Sequence, residues 1–203
     1  MISLVGQAAG TGPQNKNKFE GDIAAYEAAD RRQAPAARPV LFVGSSSIRM
    51  WKTLAETFPG RPILNRGFGG STMEDLLHFK ERLVRRYRPR LVAVYEGDND
   101  LAQGQTPERV LGRYREFLDW MQRELPRTPV ILLAVKPSPK RETLLEAQRT
   151  LNAGLLRFAS HHPNVYFTDT FSPLLNAEGR PDLRWFLKDQ LHLNPHGYRA
   201  GRP

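Results

Sequence analysis

The sequence predicts a layered α/β fold built on a parallel sheet. Five short, continuously apolar runs occur along the chain, as expected for strands that are buried on both faces. Segments with apolar residues at every third or fourth position lie between these runs and are typical of amphipathic helices. Strand and helix patterns that alternate in this way indicate a parallel sheet covered by its crossover helices.

The elements follow one another in a regular order. Residues 1–17 show no periodicity and are predicted to form a flexible tail, followed by a single domain over residues 18–203. The first helix is predicted from Phe19 to about Arg32. Each predicted strand is preceded by a dipeptide that contains proline. The strands are Val40–Val43, Ile63–Leu64, Leu91–Tyr95, Val130–Val135 and Val165–Phe167.

Three further helices are predicted from apolar stripes, which we interpret as core-facing surfaces and not as cofactor sites. They lie between the second and third, the third and fourth, and the fourth and fifth strands. The stripes are Met73, Leu76, Leu77, Leu83, Val84 and Tyr87; then Val110, Tyr114, Phe117, Leu118, Met121 and Leu125; then Leu144, Ala147, Leu151, Leu155 and Phe158.

Composition excludes several classes of protein. The 203 residues are 40% hydrophobic, which is enough for a core and excludes a wholly disordered chain. No apolar run approaches the roughly 18 residues of a membrane span, so we expect no integral membrane segment. Cysteine is absent, which excludes disulfides and cysteine nucleophiles. The first ten residues lack the features of a secretory signal, so the cytoplasm is the default location unless a signal was removed from a longer precursor.

Serines follow the first predicted strand, in the segment Gly44–Ile48. A serine at a strand-to-helix turn can point its hydroxyl into the crevice where such sheets bind ligands. A helix N-cap is the competing interpretation, and it is favoured on this segment alone. The segment is not the G-x-S-x-G elbow of α/β-hydrolases, because no glycine follows at the required spacing.

Glycines dominate the loop after the second strand, Asn65–Thr72. The loop does not match a dinucleotide-binding fingerprint, because Thr72 stands where the third glycine is required. Two interpretations stay open at this point. The loop forms a tight turn with Ser71 or Thr72 as a helix cap, or it exposes N–H groups that bind an oxyanion.

The loop after the third strand, Tyr95–Asp100, carries three carboxylates and Asn99. The spacing of an EF-hand is absent, which argues against a local cation site. An ordinary turn is the favoured interpretation of this loop alone. An asparagine amide at the end of a strand is nevertheless a good donor to an oxyanion.

The segment Asp189–Gly197 places a carboxylate three residues before His192. The carboxylate can accept a hydrogen bond from one ring nitrogen and leave the other nitrogen as a base. His192 and His196 have the spacing of a zinc pair, but Pro195 interrupts the helix and the glutamate of H-E-x-x-H is missing, so we predict no metal site. Asn194 and Pro195 have the pattern of an N-cap and a first helical residue.

Taken together, a serine, a glycine, an asparagine and a D-x-x-H pair follow successive elements. In this pattern the sequence resembles the SGNH (GDSL-type) hydrolase family, and within it the branch that includes the platelet-activating-factor acetylhydrolase catalytic subunits. The resemblance extends from about Val40 to Tyr198, with block order and spacing preserved. It implies a three-layer α/β/α fold with a flavodoxin-like, doubly wound sheet of five parallel strands.

The resemblance implies a serine esterase that cleaves acetyl or other short acyl esters. Carried over position by position, Ser46 is the nucleophile, His192 is the general base and Asp189 orients it. The oxyanion hole comprises the N–H groups of Ser46 and Gly70 and the side-chain amide of Asn99. No cofactor, metal or nucleic-acid partner is implied, and the substrate is a small-molecule acyl ester.

Two departures from the family pattern affect these assignments. Ser45 stands where the family usually has aspartate, so the choice of Ser46 over its neighbours Ser45 and Ser47 depends on the resemblance. The chain ends at Pro203, shortly after a closing helix is predicted to begin at Pro195, so we expect that helix to be cut short.

Three alternative functions compete with the hydrolase interpretation. One is an inactive SGNH-like domain that binds acylated glycans or lipids. A second is a basic nucleic-acid-binding domain, which no motif supports. A third is a flavodoxin-like nucleotide or receiver domain, for which Glu96, Asp98 and Asp100 are the support. The hydrolase interpretation is favoured because it uses all four loops together.

The net charge of +9 is concentrated away from these loops. The segment Lys80–Arg90 carries six basic residues and one acidic residue, and therefore +5 of the total. In a parallel α/β layer it lies at the edge of the sheet opposite the functional loops, so we interpret it as a surface feature. Arg49, Arg66 and Lys136 follow strand ends and could contact an anionic leaving group, but structural roles are favoured.

Overall fold

Five parallel strands form the sheet: β1 (Val40–Gly44), β2 (Ile63–Gly67), β3 (Leu91–Tyr95), β4 (Val130–Leu133) and β5 (Val165–Thr168). Their order in space is β2-β1-β3-β4-β5, which is the predicted order of a flavodoxin-like, doubly wound sheet. The structure is a computed structural model that describes residues 18–200. The tail predicted for residues 1–17 and the last three residues of the chain lie outside the described part.

The helices lie between the strands and at both ends of the described chain. They are α1 (Glu20–Arg32), α2 (Ser46–Arg49), α3 (Leu54–Thr57), α4 (Met73–Leu83), α5 (Asp98–Ala102), α6 (Pro107–Glu124), α7 (Leu145–His161) and α8 (Pro195–Ala200). Short 3₁₀ turns occur at Arg85–Tyr87, Pro139–Leu144, Ser172–Leu174 and Leu183–Trp185. None of these described helices is both long and apolar enough to cross a membrane.

The two faces of the sheet are covered unequally. Successive side chains of a strand point to opposite faces, so Leu41 and Val43 of β1 enter one core and Phe42 enters the other. The first core is the larger and packs against α1, α4, α6 and α7. The second core receives Ile48, Leu54 and Tyr198 from the short helices α2, α3 and α8. The three predicted layers are present, with one helical layer much thinner than the other.

Burial of the strands follows their position in the sheet. The central strands β1 and β3 are almost wholly buried, as predicted from their continuous apolar runs. The expectation that all five strands are buried on both faces is wrong for β5, where Tyr166 is 55% exposed. β5 is an edge strand of the sheet, and its face that carries Tyr166 is open to solvent.

The basic segment lies at the end of α4 and in the turn that leads into β3, away from the carboxyl ends of the strands. Part of its charge is compensated by acidic residues of α1. Arg82 bonds Glu27 at 2.8 Å, and Arg86 contacts the same carboxylate at 3.2 Å. The location and these ion pairs support a surface role for the positive charge.

Strand register brings the functional loops together. Gly44 of β1 is paired with Gly67 of β2 and with Tyr95 of β3, so the three strands end at the same level. Each strand is followed directly by one of the loops singled out in the sequence. The loops that carry Ser46 and Asn99 therefore leave the sheet side by side at its carboxyl edge, where doubly wound sheets bind ligands.

Candidate active site

A chain of side-chain contacts joins Ser46 to Asp189 across the carboxyl edge of the sheet. Ser46 Oγ lies 3.1 Å from His192 Nε2, although the two residues are 146 positions apart. On the other side of the same ring, His192 Nδ1 lies 2.6 Å from Asp189 Oδ2. The imidazole thus stands between a hydroxyl and a carboxylate, which is the geometry of a hydroxyl nucleophile, a base and an orienting group.

A glycine-dependent turn places Ser46 immediately after β1. Gly44 has φ of +137°, and a Cβ there would lie 2.0 Å from the carbonyl oxygen of Tyr95. No other residue fits this close approach of β1 to β3. Ser45 N then donates to the same carbonyl at 3.1 Å, and α2 starts at the next residue. The serine hydroxyl is therefore presented at the end of the central strand.

The three adjacent serines occupy different environments. Ser45 occupies the N-cap position of α2, but no side-chain hydrogen bond caps the helix, and the residue is only 2% exposed. Ser47 is also buried, and its carbonyl accepts a hydrogen bond from Tyr198 Oη at 2.9 Å. Of the three, Ser46 is the one whose hydroxyl contacts His192.

The glycine loop lies between Ser46 and Asn99. A Cβ at Gly69 would lie 3.8 Å from that of Ser46, and Asn99 Nδ2 donates to the carbonyl of Ser71 at 2.9 Å. Gly70 adopts φ of +85°, in the left-handed region that favours glycine. The cap interpretation is confirmed for Thr72, which caps α4 through a reciprocal capping box with Asp75.

Three N–H groups at this edge are available to a ligand. Within residues 18–200, the backbone N–H groups of Ser46 and Gly70 donate to no other group of the protein. Asn99 uses its Nδ2 toward Ser71, and a side-chain amide has two hydrogens there, so one hydrogen remains. Preorganised donors of this kind stabilise negative charge that develops on a substrate oxygen.

Asp189 organises the loop that carries His192. Its Oδ1 accepts hydrogen bonds from the backbone N–H groups of Leu191 and His192, each at 3.0 Å, while Oδ2 faces the imidazole. The hydrogen bond from the His192 side chain, together with these backbone donors, lowers the pKa of Asp189 well below its usual range. The side chains of Asp189 and His192 are 42% and 22% exposed, so water reaches the pair.

The carboxylates after β3 have partners within the protein. Glu96 is completely buried and accepts a hydrogen bond from Ser71 Oγ at 2.6 Å. Asp98 forms an ion pair with Arg141, and Asp100 accepts from the N–H of Met73. Burial raises the pKa of Asp100 to about 6. Among the described residues no group of three histidine, aspartate or glutamate side chains is placed to hold a metal.

Burial of Glu96 leads to a testable pH dependence of stability. Burial raises the pKa of its carboxyl well above the usual range, so the folded protein keeps a proton that the unfolded chain releases near about pH 4. Between these two pKa values the folded state binds more protons, and stability falls as pH rises by up to about 1.4 kcal/mol per pH unit. Glu96→Gln should flatten this decline between about pH 5 and 8, as measured by urea unfolding.

Glu116→Gln is the matched control, because Glu116 lies exposed on α6. We expect it to leave the slope of stability against pH unchanged. Equal slopes in Glu96→Gln and the unmodified protein would show that Glu96 is ionised in the folded state.

Two basic residues at strand ends have structural partners. Arg66 is buried and bonds Asp30 and the hydroxyl of Tyr87, the latter at 2.8 Å. Arg49 pairs with Asp22 at 3.3 Å on the surface beside the glycine loop. These contacts support the structural roles that the sequence favoured.

The sequence missed Arg141, which contacts Asn99 and Asp98. Arg141 lies in the loop that follows β4, at the carboxyl edge of the sheet. The available signal was a cluster of basic residues at the carboxyl end of a strand. Which of them reaches the site depends on the 3₁₀ turn Pro139–Leu144.

Comparisons with known proteins give a family match and several structural neighbours. The model of the GDSL-like lipase/acylhydrolase family matches residues 10–200. A search of curated protein sequences finds no match.

Among solved structures, a Streptococcus pneumonia protein described as a candidate platelet activating factor has a TM-score of 0.80 at 21% identity, covering 91% of this chain and 89% of the other. A GDSL-like lipase from Bacteroides thetaiotaomicron has a TM-score of 0.73 at 22% identity, covering 92% of both chains. An acetylxylan esterase from Geobacillus stearothermophilus has a TM-score of 0.65 at 14% identity, covering 82% and 92%.

Proposed function

Because the chain belongs to the GDSL-like lipase/acylhydrolase family, it is an ester-hydrolysing enzyme, and we propose that Ser46, His192 and Asp189 form its catalytic triad. The observation that carries the proposal is the continuous chain from Ser46 Oγ through both nitrogens of the His192 ring to the Asp189 carboxylate. Asp189 is held ionised by its donors, as an orienting carboxylate must be.

In the acylation step, Ser46 Oγ attacks the carbonyl carbon of the ester while His192 Nε2 takes the hydroxyl proton. A tetrahedral intermediate forms, with negative charge on the former carbonyl oxygen. Collapse of this intermediate breaks the bond to the alcohol oxygen, which takes the proton from the imidazolium. The products are a free alcohol and an acyl group on Ser46.

The oxyanion of this intermediate is stabilised by three donors in the proposed mechanism. They are the N–H groups of Ser46 and Gly70 and the remaining amide hydrogen of Asn99. Each is attached to a different loop at the carboxyl edge, and the left-handed backbone of Gly70 sets the direction of its N–H. Fixed donors need no reorganisation when charge develops, which is why they favour the transition state.

In the deacylation step, a water molecule attacks the acyl carbon while His192 takes a proton from the water. Collapse of the second tetrahedral intermediate releases a carboxylic acid and returns the proton to Ser46 Oγ. The exposure of His192 and Asp189 gives water direct access to the acyl-enzyme.

We propose acetyl or other short acyl groups as the substrates. An apolar cavity of about 30 Å³ has a lining that includes Ser47 and Leu193, the residues that directly follow Ser46 and His192. A space of this size holds a group of about one or two heavy atoms.

A chain-length series of p-nitrophenyl esters tests the proposed substrate class. We expect kcat/KM to be highest for acetate and to fall steadily through butyrate toward octanoate and longer chains, because longer acyl groups exceed the cavity. A rise in kcat/KM toward long chains would contradict the short-acyl proposal. Acetylated xylan is a second substrate to test, since one structural match is an acetylxylan esterase.

A fluorophosphonate probe separates the enzyme from an inactive binding domain. We expect the probe to label the protein at the peptide that contains Ser46, with loss of esterase activity in proportion to labelling. Absence of both labelling and turnover for every ester would contradict the triad and favour the binding domain.

A further inference from the structure

The loop after β4 contacts both halves of the proposed active site. It comprises Lys136–Leu144, and its side chains are not part of the proposed triad or oxyanion hole. Lys136 Nζ donates to the carbonyl of Leu191 at 2.7 Å, in the segment between Asp189 and His192. Arg141 contacts Asn99, the proposed oxyanion donor that follows β3.

Arg141 determines how the Asn99 amide is oriented. A guanidinium carries donors and no acceptor, so the atom it faces at 3.0 Å is the amide oxygen, Oδ1. The Nδ2 group then points to the carbonyl of Ser71, at 2.9 Å. Rotation of the amide by 180° would set Oδ1 against that carbonyl oxygen and Nδ2 against the guanidinium, which is unfavourable at both contacts.

The positive charge of Arg141 also strengthens Asn99 as a donor. A cation at the oxygen of an amide draws electron density from its nitrogen, and hydrogen bonds in such chains reinforce one another in a low-dielectric site. Arg141 is largely buried, with 18% of its side chain exposed, so solvent screens this effect only in part.

Asp98 fixes Arg141 in this position. Its Oδ1 lies 2.8 Å from Nη1 of Arg141, and Asp98 is the residue before Asn99 at the start of α5. Lys136 Nζ lies 3.6 Å from the second oxygen of Asp98. The buried carboxylate of Asp98 therefore has two cationic partners. Arg141 contacts Asn99, and Lys136 donates to the loop that carries His192.

We propose that Arg141 is a positioning residue for the reaction, holding the Asn99 amide so that its free hydrogen faces the oxyanion. Asp98 holds the guanidinium in place. The inference rests on the proposed function, because it requires Asn99 to be an oxyanion donor. Arg141 acts through Asn99 and does not itself touch the reacting atoms.

A double-mutant cycle tests the inference with p-nitrophenyl acetate. Asn99→Ala should lower kcat by about 10²–10³-fold, the usual loss for one oxyanion donor. Arg141→Met should lower kcat by about tenfold with KM within twofold of the unmodified enzyme. In the Asn99→Ala background, Arg141→Met should change kcat less than twofold, because there is no amide left to orient. Arg141→Lys, which keeps the charge but has no planar fork, should recover part of the loss.

Arg113→Met is the matched control. Arg113 is also partly buried and also pairs with an aspartate of α5, Asp100, at 3.6 Å, but it does not contact Asn99. We expect it to leave kcat within twofold. If Arg141→Met unfolds the protein, as judged by circular dichroism, the cycle is performed with Arg141→Lys.

The outcomes separate the two proposals. Equal losses from the Arg141 variant in both backgrounds would overturn the inference, because they would show an effect independent of Asn99. Unchanged kcat in the Arg141 variant, with a loss in Asn99→Ala, would overturn the inference and support the assignment of Asn99 as an oxyanion donor. Full activity in Asn99→Ala would overturn the oxyanion assignment itself.

Discussion

Ser46→Ala is expected to lower kcat for p-nitrophenyl acetate by at least about 10⁴-fold while leaving the fold intact. The change removes the hydroxyl that lies 3.1 Å from His192 Nε2. No acyl-enzyme can then form, so the remaining rate comes from binding and the oxyanion donors alone. Steady-state kinetics, with circular dichroism to verify folding, measure the effect. The same variant should also lose labelling by a fluorophosphonate probe.

Ser45→Ala and Ser47→Ala are the matched controls, because each removes a hydroxyl from a residue adjacent to Ser46. Both neighbours are buried, and neither hydroxyl contacts His192. We expect each of these variants to lose less than about tenfold in kcat. A loss of about 10⁴-fold in either control, with Ser46→Ala active, would move the nucleophile to that position.

The order of elements could be predicted because its signals are local. Continuous apolar runs, helical stripes and proline punctuation each lie within a few residues of the element they specify. The parallel sheet then places the loops after β1, β2 and β3 at one edge, whatever their sequence. Strand ends therefore indicated the edge of the sheet at which the site lies, while the choice of its residues depended on the resemblance to the SGNH hydrolases.

Other features could not be predicted, because they depend on contacts between distant residues. Arg141 and Asn99 are 42 positions apart, and nothing in the sequence distinguishes Arg141 from Lys140 as the residue that reaches the amide. The direction of Ser46 depends on the turn at Gly44 and its close approach to β3. The exposure of Tyr166 depends on β5 lying at an edge, which strand composition does not encode.

His192→Ala is expected to lower kcat for the same ester by about 10⁴-fold or more, because it removes the ring nitrogen that lies 3.1 Å from Ser46 Oγ and takes its proton in the proposed mechanism. Steady-state kinetics with p-nitrophenyl acetate measure the loss, and circular dichroism verifies that the variant is folded.

His196→Ala is the matched control for the loss of His192, since it removes a histidine from the same segment. His196 Nδ1 contacts Arg199 at 2.7 Å on the surface of α8 and has no contact with Ser46 or Asp189 among the described residues. Its loss should leave kcat within twofold of the unmodified enzyme. If His196→Ala lost activity while His192→Ala kept it, the base would have to be reassigned. Agreement of both variants with expectation would tie turnover to the imidazole that bridges Ser46 and Asp189, and so to the proposed proton transfer.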